Sequence, residues 1–429
     1  MFVFLSSQVS SLHLIIALAV FILTFTLITT EKLPNAIAAM VGAFLFVAFH
    51  ILSQDEAVEF IDFDTIGLLC GMMMIVAVMR KTGLFEYIAI KGIKITKGNP
   101  WRILVVLSIV TAVLSAFLDN VTTVLIIVPL TFAVADTIKI SPLPLLISEI
   151  LFSNIGGAAT LIGDPPNIMI GGATHLGFVD FIDNNLPIVL VVSVVTFFLL
   201  RLIYYKKLIS VEVDKEKISA FDEKRAIKDK RFLMKNLIVF SFVILAFVTH
   251  HVHEISLASI ALGGGFILMM VAKQDPEEIL KEVEWPTLFF FIGLFVIVGG
   301  LEKTGVISYL ANRMIAVTGG EVSIAAQLVL WLSALSTTFI NSIPYTATMI
   351  SVIENMGGGD SLWWALSLGA CFGGNGTLIG AAANIIVAGF SQKTDYPLKF
   401  KDYVKVGLPL MLVSIILSSI YLHLRYFIF

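Results

Sequence analysis

The chain has 429 residues, 58% of them hydrophobic and only 14% charged, with a net charge of −3 and a mean hydropathy of +0.96. A soluble domain carries about 25% charged residues, so a soluble fold is excluded, and a charge this close to neutral points to no nucleic-acid partner. Two cysteines, Cys70 and Cys371, lie in apolar segments and build neither a disulfide framework nor a zinc site.

The apolar runs define an all-α polytopic membrane protein with the lipid bilayer as its partner. Ten crossing elements are read in chain order: 11–30, 33–52, 64–81, 142–173, 186–205, 233–250, 255–273, 285–302, 361–392 and 404–427. Two of them, 142–173 and 361–392, are broken by glycine-rich runs. Two further apolar stretches, 100–136 and 321–356, carry polar residues near their middles and read as re-entrant hairpins. The start, MFVFLSSQVSSLHLII, has no Lys or Arg ahead of its apolar run and does not read as a cleaved signal peptide.

Charge sets the expected orientation. Roughly 25 of the 28 Lys and Arg fall on one face, which the positive-inside rule makes the cytoplasm. That face holds the charged linker 206–232. The other receives QDEAVEFIDFD (53–63), HHVHE (250–254) and the segment around Asp180 and Asp183, with only Lys303, Arg313 and Arg425 as cations. The layout implies a multi-pass protein of the cell (inner) membrane, with the linker cytoplasmic and both termini on the other side.

The chain also repeats itself. FDTIGLLCGMMMIVAVMRKTGLFEYIA (63–89) aligns with WPTLFFFIGLFVIVGGLEKTGVISYLA (285–311), and the Lys-Thr-Gly at 81–83 returns at 303–305. VLSAFLDNVTTVLIIVP (113–129) aligns with ALSTTFINSIPYTATMI (334–350), matching Asn120 to Asn341. IGGAATLIGDPPN (155–167) aligns with FGGNGTLIGAAAN (372–384). Equivalent points are separated by five crossings, so the two copies are inverted, an architecture that places a transport site where broken helices meet.

Irregular backbone at membrane depth survives only when buried in protein or lining a wet cavity. An unwound turn frees carbonyls for a cation and the positive end of the next half-helix for an anion. The candidate ligands at the breaks are Asn154, Gly157, Thr160, Gly163, Asp164 and Asn167 in the first copy. In the second they are Gly374, Asn375, Thr377 and Asn384. The hairpin tips add Asp119, Asn120 and Thr122, and Asn341 and Ser342. Helix capping is the plain alternative for Asp, Asn and Ser at a tip, and for Asp164 ahead of Pro165.

LCGMMMIVAVMRKTGLFEYIAIK, NPWRILVVLSIVTAVLSAFLDNVTTVL and SEILFSNIGGAATLIGDPPN closely resemble the P-protein group of the ion transporter superfamily. That superfamily also includes arsenite permeases, sodium/proton antiporters and divalent anion/sodium symporters. The resemblance implies an elevator-type transporter and a homodimer. Its scaffold would be 1–98 and 233–320, joined through the linker 206–232, and its mobile part 99–205 and 321–429. The dicarboxylate symporters use Ser-Asn-Thr at both tips and Pro-Pro-Asn in both breaks. Here the tips read Asp119-Asn120-Val121 and Asn341-Ser342-Ile343, and the second break reads Ala382-Ala383-Asn384, which weighs against a di- or tricarboxylate. Arsenite permeases carry Asn before Asp at the first tip and lack the proline pair, which weighs against arsenite.

Asp119 and Asp164 occur in the first copy alone, where the alignment gives them Ile340 and Ala381 as counterparts. A carboxylate near mid-membrane is costly and is a functional hypothesis by default. Two acids with no Lys or Arg beside them favour a cation or a proton, with Na⁺ expected at Asp119, Asn120, Gly157 and Asn341. Burial moves a carboxyl toward neutral pKa, so one group can alternate between proton and Na⁺. Glu149, in LLISEILF, is a third intramembrane acid and a candidate proton relay, or else a packing hydrogen bond. The expectation is therefore cation/proton exchange with a small inorganic ion as substrate, and no cofactor beyond Na⁺ or H⁺ as coupling ion. Sodium- or proton-coupled anion transport is the alternative, because Ala381 cannot cap and leaves a half-helix end free for an anion. A channel is the rival class. No HExxH, GxSxG or Walker loop marks an enzyme.

Overall fold

The computed structural model describes residues 11–30, 32–174, 176–209, 222–227 and 229–428. Part of the linker, 210–221, lies outside the described residues. Among those described there are twenty α-helices, one short 3₁₀ turn at Glu223–Arg225 and no strand.

The helices fall into two sets of ten. The first set is α1 (Ser11–Thr29), α2 (Asn35–Ala48), α3 (Gln54–Glu59), α4 (Phe63–Lys81), α5 (Leu84–Ile95), α6 (Pro100–Phe117), α7 (Asn120–Ile138), α8 (Leu143–Gly157), α9 (Pro165–Ala173) and α10 (Phe178–Ile209). The second is α11 (Lys230–His253), α12 (Leu257–Ala272), α13 (Pro276–Lys281), α14 (Trp285–Lys303), α15 (Val306–Thr318), α16 (Val322–Phe339), α17 (Ser342–Asn355), α18 (Asp360–Gly373), α19 (Ala382–Gln392) and α20 (Phe400–Phe427). Each helix of the first set has its counterpart ten places later, so the internal repeat covers every element.

Nine of the described helices are long and apolar enough to cross a membrane, and α6, α7 and α16 are among them. The ten expected crossings map differently. Those at 142–173 and 361–392 are each two short helices, and those at 33–52 and 255–273 contain helices of 14 and 16 residues. The crossing expected at 186–205 begins earlier, at Phe178, so Asp180 and Asp183 lie within the first turns of α10.

Four helices were not expected, the short α3 and α13 and the longer α5 and α15. α5 and α15 follow the repeated Lys-Thr-Gly and bury one stripe each, Phe85, Ala89 and Ile93 in the first and Ile307 and Ala311 in the second. The tripeptide is a turn device. Thr82 and Thr304 end the preceding helix, and Gly83 and Gly305 sit at φ +74° and +78°, a region that costs glycine nothing and other residues much.

The lysine of the tripeptide reaches across the repeat. Lys81 pairs with Glu278 on α13 at 3.0 Å, and Lys303 pairs with Glu56 on α3 at 2.6 Å. Each copy thus holds the other's short helix. The long helices exchange partners in the same way: α4 packs on α12, and α14 on α2. In the other half, α9 packs on α17 and α19 on α7. The two copies cannot be separated without exposing both cores.

Candidate functional site

The hairpin tips stop beside the breaks. The Thr160 hydroxyl donates to the carbonyl of Ala116 in the last turn of α6, and the Thr377 hydroxyl to that of Thr338 at 2.6 Å. Ser115 Oγ donates to the Ser153 carbonyl at 2.7 Å. Each tip is therefore held against an unwound turn by bonds to backbone. At each break the chain doubles back tightly. A Cβ on Gly163 would meet the Gly157 carbonyl oxygen at 2.5 Å, and one on Gly380 the Gly374 carbonyl oxygen at 2.7 Å.

The asparagines close each break on itself. Asn167 Nδ2 donates to the Thr160 carbonyl at 2.9 Å and lies 3.4 Å from those of Gly157 and Ala158. Asn384 Nδ2 donates to the Gly374 and Thr377 carbonyls at 2.7 and 2.9 Å. Asn167 Oδ1 accepts from Ser367 Oγ at 2.6 Å. The carbonyls freed by unwinding are in part consumed by these amides.

The hairpins correct one detail of the alignment. Leu118 and Ile340 are the extended residues that end α6 and α16, and Asp119 and Asn341 are the N-caps that follow. Asp119 is therefore equivalent to Asn341, and Asn120 to Ser342; matching the two asparagines shifts the register by one. Asp119 accepts from Thr122 N at 2.8 Å and from Thr122 Oγ1 at 2.5 Å. Asn341 Oδ1 accepts from Ile343 N at 3.0 Å. Both tip residues face their own helix ends. The copies regain a common register only after α17, which at 14 residues is five shorter than α7.

Asp164 departs from the capping alternative, which Asp119 and Asn341 follow. It stands at the N-cap position of α9, yet its side chain caps nothing. Instead Asp164 Oδ1 and Asn154 Oδ1 each lie 3.4 Å from Asn120 Nδ2. Asn154 Nδ2 then donates across the repeat to Asn375 Oδ1 at 2.8 Å and Asn384 Oδ1 at 3.1 Å. Asn375 Nδ2 donates to the Leu151 carbonyl, and Tyr403 OH to the Asn375 carbonyl. Asn120, Asn154, Asp164, Asn375 and Asn384 thus form one polar centre at the crossing of both breaks, with Asp164 only 3% exposed. Gly157, of the Na⁺ set expected from sequence, adjoins this centre through Gly163; Asn341 makes no hydrogen bond to it among the described residues.

The two copies differ where the centre is most polar. Asn120, Asn154 and Asp164 of the first copy become Ser342, Cys371 and Ala381 in the second. Among the described residues no Lys or Arg hydrogen-bonds to any of these groups. The sequence reading passed over Asn185, fully buried, whose amide donates to the Ala158 carbonyl at 2.9 Å and to Ser367 Oγ at 2.8 Å. Its signal was the polar Asp-Asn-Asn run ahead of an apolar stretch, read as loop rather than helix.

Two cavities flank the end of α9. One of about 420 Å³ is lined by Asp64, Thr174, His250, His251 and Glu254, and one of about 210 Å³ by Asp62, Glu302, Ser351 and Glu354. Neither includes the asparagine centre, which is closed over by packed side chains.

Paired broken helices, two hairpins whose tips dock on them and an occluded polar centre between inverted copies are the architecture of a secondary membrane transporter. The chain belongs to the CitMHS family, described as citrate transporter, whose model matches residues 25–369. It is similar to an uncharacterized transporter of Mycobacterium bovis, 41% identical over 96% of this chain and 99% of that protein. It is also similar to the P protein of Mus musculus, 34% identical over 95% of this chain and 59% of that longer protein. Among solved structures, the YdaH transporter of Alcanivorax borkumensis matches over 96% of each chain with a TM-score of 0.57 and 14% identity, a likeness of fold alone.

Proposed function

We propose that the protein exchanges a small monovalent cation, Na⁺ in the first instance, for protons across the cell membrane. The observation that carries this is the acid and amide set Asn120, Asn154 and Asp164, present in one copy and replaced in the other by Ser342, Cys371 and Ala381. The set offers a carboxylate and two amide oxygens, the hard donors a group I cation takes. It offers no cation for an anion. A carboxylate shut away from water is stable only when paired, coordinated or protonated, so cation and proton exclude one another at Asp164. That exclusion is coupling.

Alternating access by an elevator movement of 99–205 with 321–429 against the rest, in a homodimer, is the accompanying proposal. The exchange of helices between copies and the cavities beside α9 support it. Coupled anion transport, the direction in which the family's description leans, is favoured by one observation. Ala381 leaves the N-terminus of α19 without any side-chain cap, and such an end binds anions.

The test is flux in reconstituted vesicles, following internal pH while Na⁺, Li⁺, K⁺, arsenite and carboxylates are imposed in turn. Exchange is expected with a cation, and Asp164→Asn, which preserves shape, should abolish it while the protein still folds. Exchange at the wild-type rate in that variant would remove Asp164 from the site. Proton movement driven by a carboxylate alone would favour the second reading.

A further inference from the structure

The amides of the polar centre are not free to turn. A backbone carbonyl accepts and cannot donate. The carbonyls of Gly374 and Thr377, at 2.7 and 2.9 Å, therefore hold the amino group of Asn384 on their side and leave its Oδ1 on the other. The Leu151 carbonyl does the same for Asn375, whose Nδ2 lies 3.3 Å from it. Both oxygens then face Asn154, which gives its amino group to them at 2.8 and 3.1 Å. The Asn154 Oδ1 is left to face Asn120 Nδ2, 3.4 Å away, and Asp164 Oδ1 faces the same atom at the same distance. Turned over, Asn154 would set three oxygens against one another. No water relieves that, because Asn154, Asn375 and Asn384 are each at most 1% exposed.

The fold does not ask for this chain of amides. The alignment of the breaks puts Ala158 opposite Asn375 and Cys371 opposite Asn154. Each copy thus keeps one asparagine that the other does without, and those two asparagines meet. The matching contact in the other direction runs from Cys371 Sγ to Asn167 Oδ1 at 3.6 Å. A thiol is a weak donor and has no amide oxygen to present beyond it. Glu149, five residues before Asn154 on α8, bonds to Thr131 of α7 and to none of these groups among the described residues.

We infer that Asn375 and Asn384 are positioning residues, which hold the Asn154 amide oxygen toward the point that Asp164 faces. The second break thereby sets the preference of the site for a cation without binding the ion itself. This rests on the cation/proton reading above. An Asn154 amide turned the other way would present protons where a cation needs oxygen. The sign of the site traces back to backbone carbonyls, two of them in the unwound turn of the copy that has no acid.

The experiment uses the full chain and reads Na⁺ affinity from thermal stabilisation over a Na⁺ titration, with Na⁺-driven proton flux followed in vesicles. Asn375→Ala and Asn154→Cys each install the residue that the other copy carries. Asn375→Ala should raise the half-saturating Na⁺ concentration about tenfold, the scale of one hydrogen bond. Asn154→Cys should raise it at least as far. The double variant should bind Na⁺ no more weakly than Asn154→Cys alone, because no amide oxygen is left to orient. A merely structural Asn375 would lower the melting temperature without Na⁺ and leave the half-saturating concentration where it was. Asn375→Ser, whose hydroxyl still accepts but also donates, should lie between wild type and Asn375→Ala. Wild-type Na⁺ affinity in Asn375→Ala would overturn the inference. So would losses that multiply in the double variant, which would make Asn375 a ligand in its own right, or failure of both Asn375 variants to fold. A wild type that Na⁺ neither stabilises nor drives would instead defeat the underlying reading.

Discussion

Replacing Asn167 by alanine separates a residue that holds the break from one that binds the ion. The amide donates to the Thr160 carbonyl at 2.9 Å, and no other donor reaches that oxygen among the described residues. Its own oxygen accepts from Ser367 at 2.6 Å. Truncation leaves the Thr160 carbonyl buried in an unwound turn with no helical partner, a loss of about 1–3 kcal/mol. Ser367 suffers less, since it still accepts from Asn185 and can turn its proton to the carbonyl one turn back. Polar contacts between membrane helices average about 0.6 kcal/mol, which is the scale for that second loss. Asn167→Ala should therefore destabilise the protein by about 2–4 kcal/mol. Asn384→Ala, which frees the Gly374 carbonyl, should cost about the same. Both losses should be measured in ion-free buffer, by reversible unfolding of the purified protein in a mixed-micelle or bicelle system. Stability within about 0.5 kcal/mol of wild type, with a fall in ion affinity instead, would refute the reasoning and return the amides to the ligand set.

Two other substitutions divide capping and stability from binding. Asparagine caps a helix as well as aspartate does, so Asp119→Asn should leave folding unchanged, and its fall in Na⁺ affinity, expected at about tenfold or more, should be electrostatic. Asp119→Ala should add a cap loss of about 0.5–2 kcal/mol; wild-type Na⁺-dependent stabilisation in Asp119→Asn would leave the residue a cap alone. Where α3 meets α14, Lys303 and the Ser53 backbone hold the Glu56 carboxyl down to about 2, below its usual 4.5. A lowered pKa adds stability above about 4.5 that disappears as pH falls through about 2. The melting difference between wild type and Glu56→Gln should be present at neutral pH, shrink across that window and weaken with salt, because the pair is exposed. A difference that stays constant with pH would rule out the ion pair as its origin.

Much of this architecture was legible because membrane folds write their constraints in residue types. A glycine-rich run inside an apolar stretch, with a proline pair in the first copy and repeated without it in the second, reads as a break, and a break needs a buried setting, so the two discontinuities and the inverted copies follow from the sequence. The hairpin register was less secure. Aspartate and asparagine are interchangeable at an N-cap, so identity favoured pairing Asn120 with Asn341, whereas backbone geometry pairs Asp119 with Asn341. α5 and α15 escaped because they are short and buried on one stripe only, which hydropathy averaged over a span cannot register. The direction of the Asn167 and Asn384 amides was also beyond reach. An amide both donates and accepts, and its partners are carbonyls seven to ten residues back, a distance that only the folded turn fixes.

The comparison between copies then separates two kinds of residue. Thr160 and Thr377, Gly163 and Gly380, and Asn167 and Asn384 agree, and each makes the same contact in its own copy: hydroxyl to hairpin, close backbone approach, amide to unwound carbonyl. These residues build the break, and an inverted architecture needs the break twice. Asn120, Asn154, Asp164 and Glu149 differ from Ser342, Cys371, Ala381 and Leu366, yet all eight sit at matching places in the same fold. Whatever requires the first four is therefore not the fold. The acid and amides that the second copy lacks meet Asn375 and Asn384 of that copy, so the polar centre is drawn unequally from the two copies.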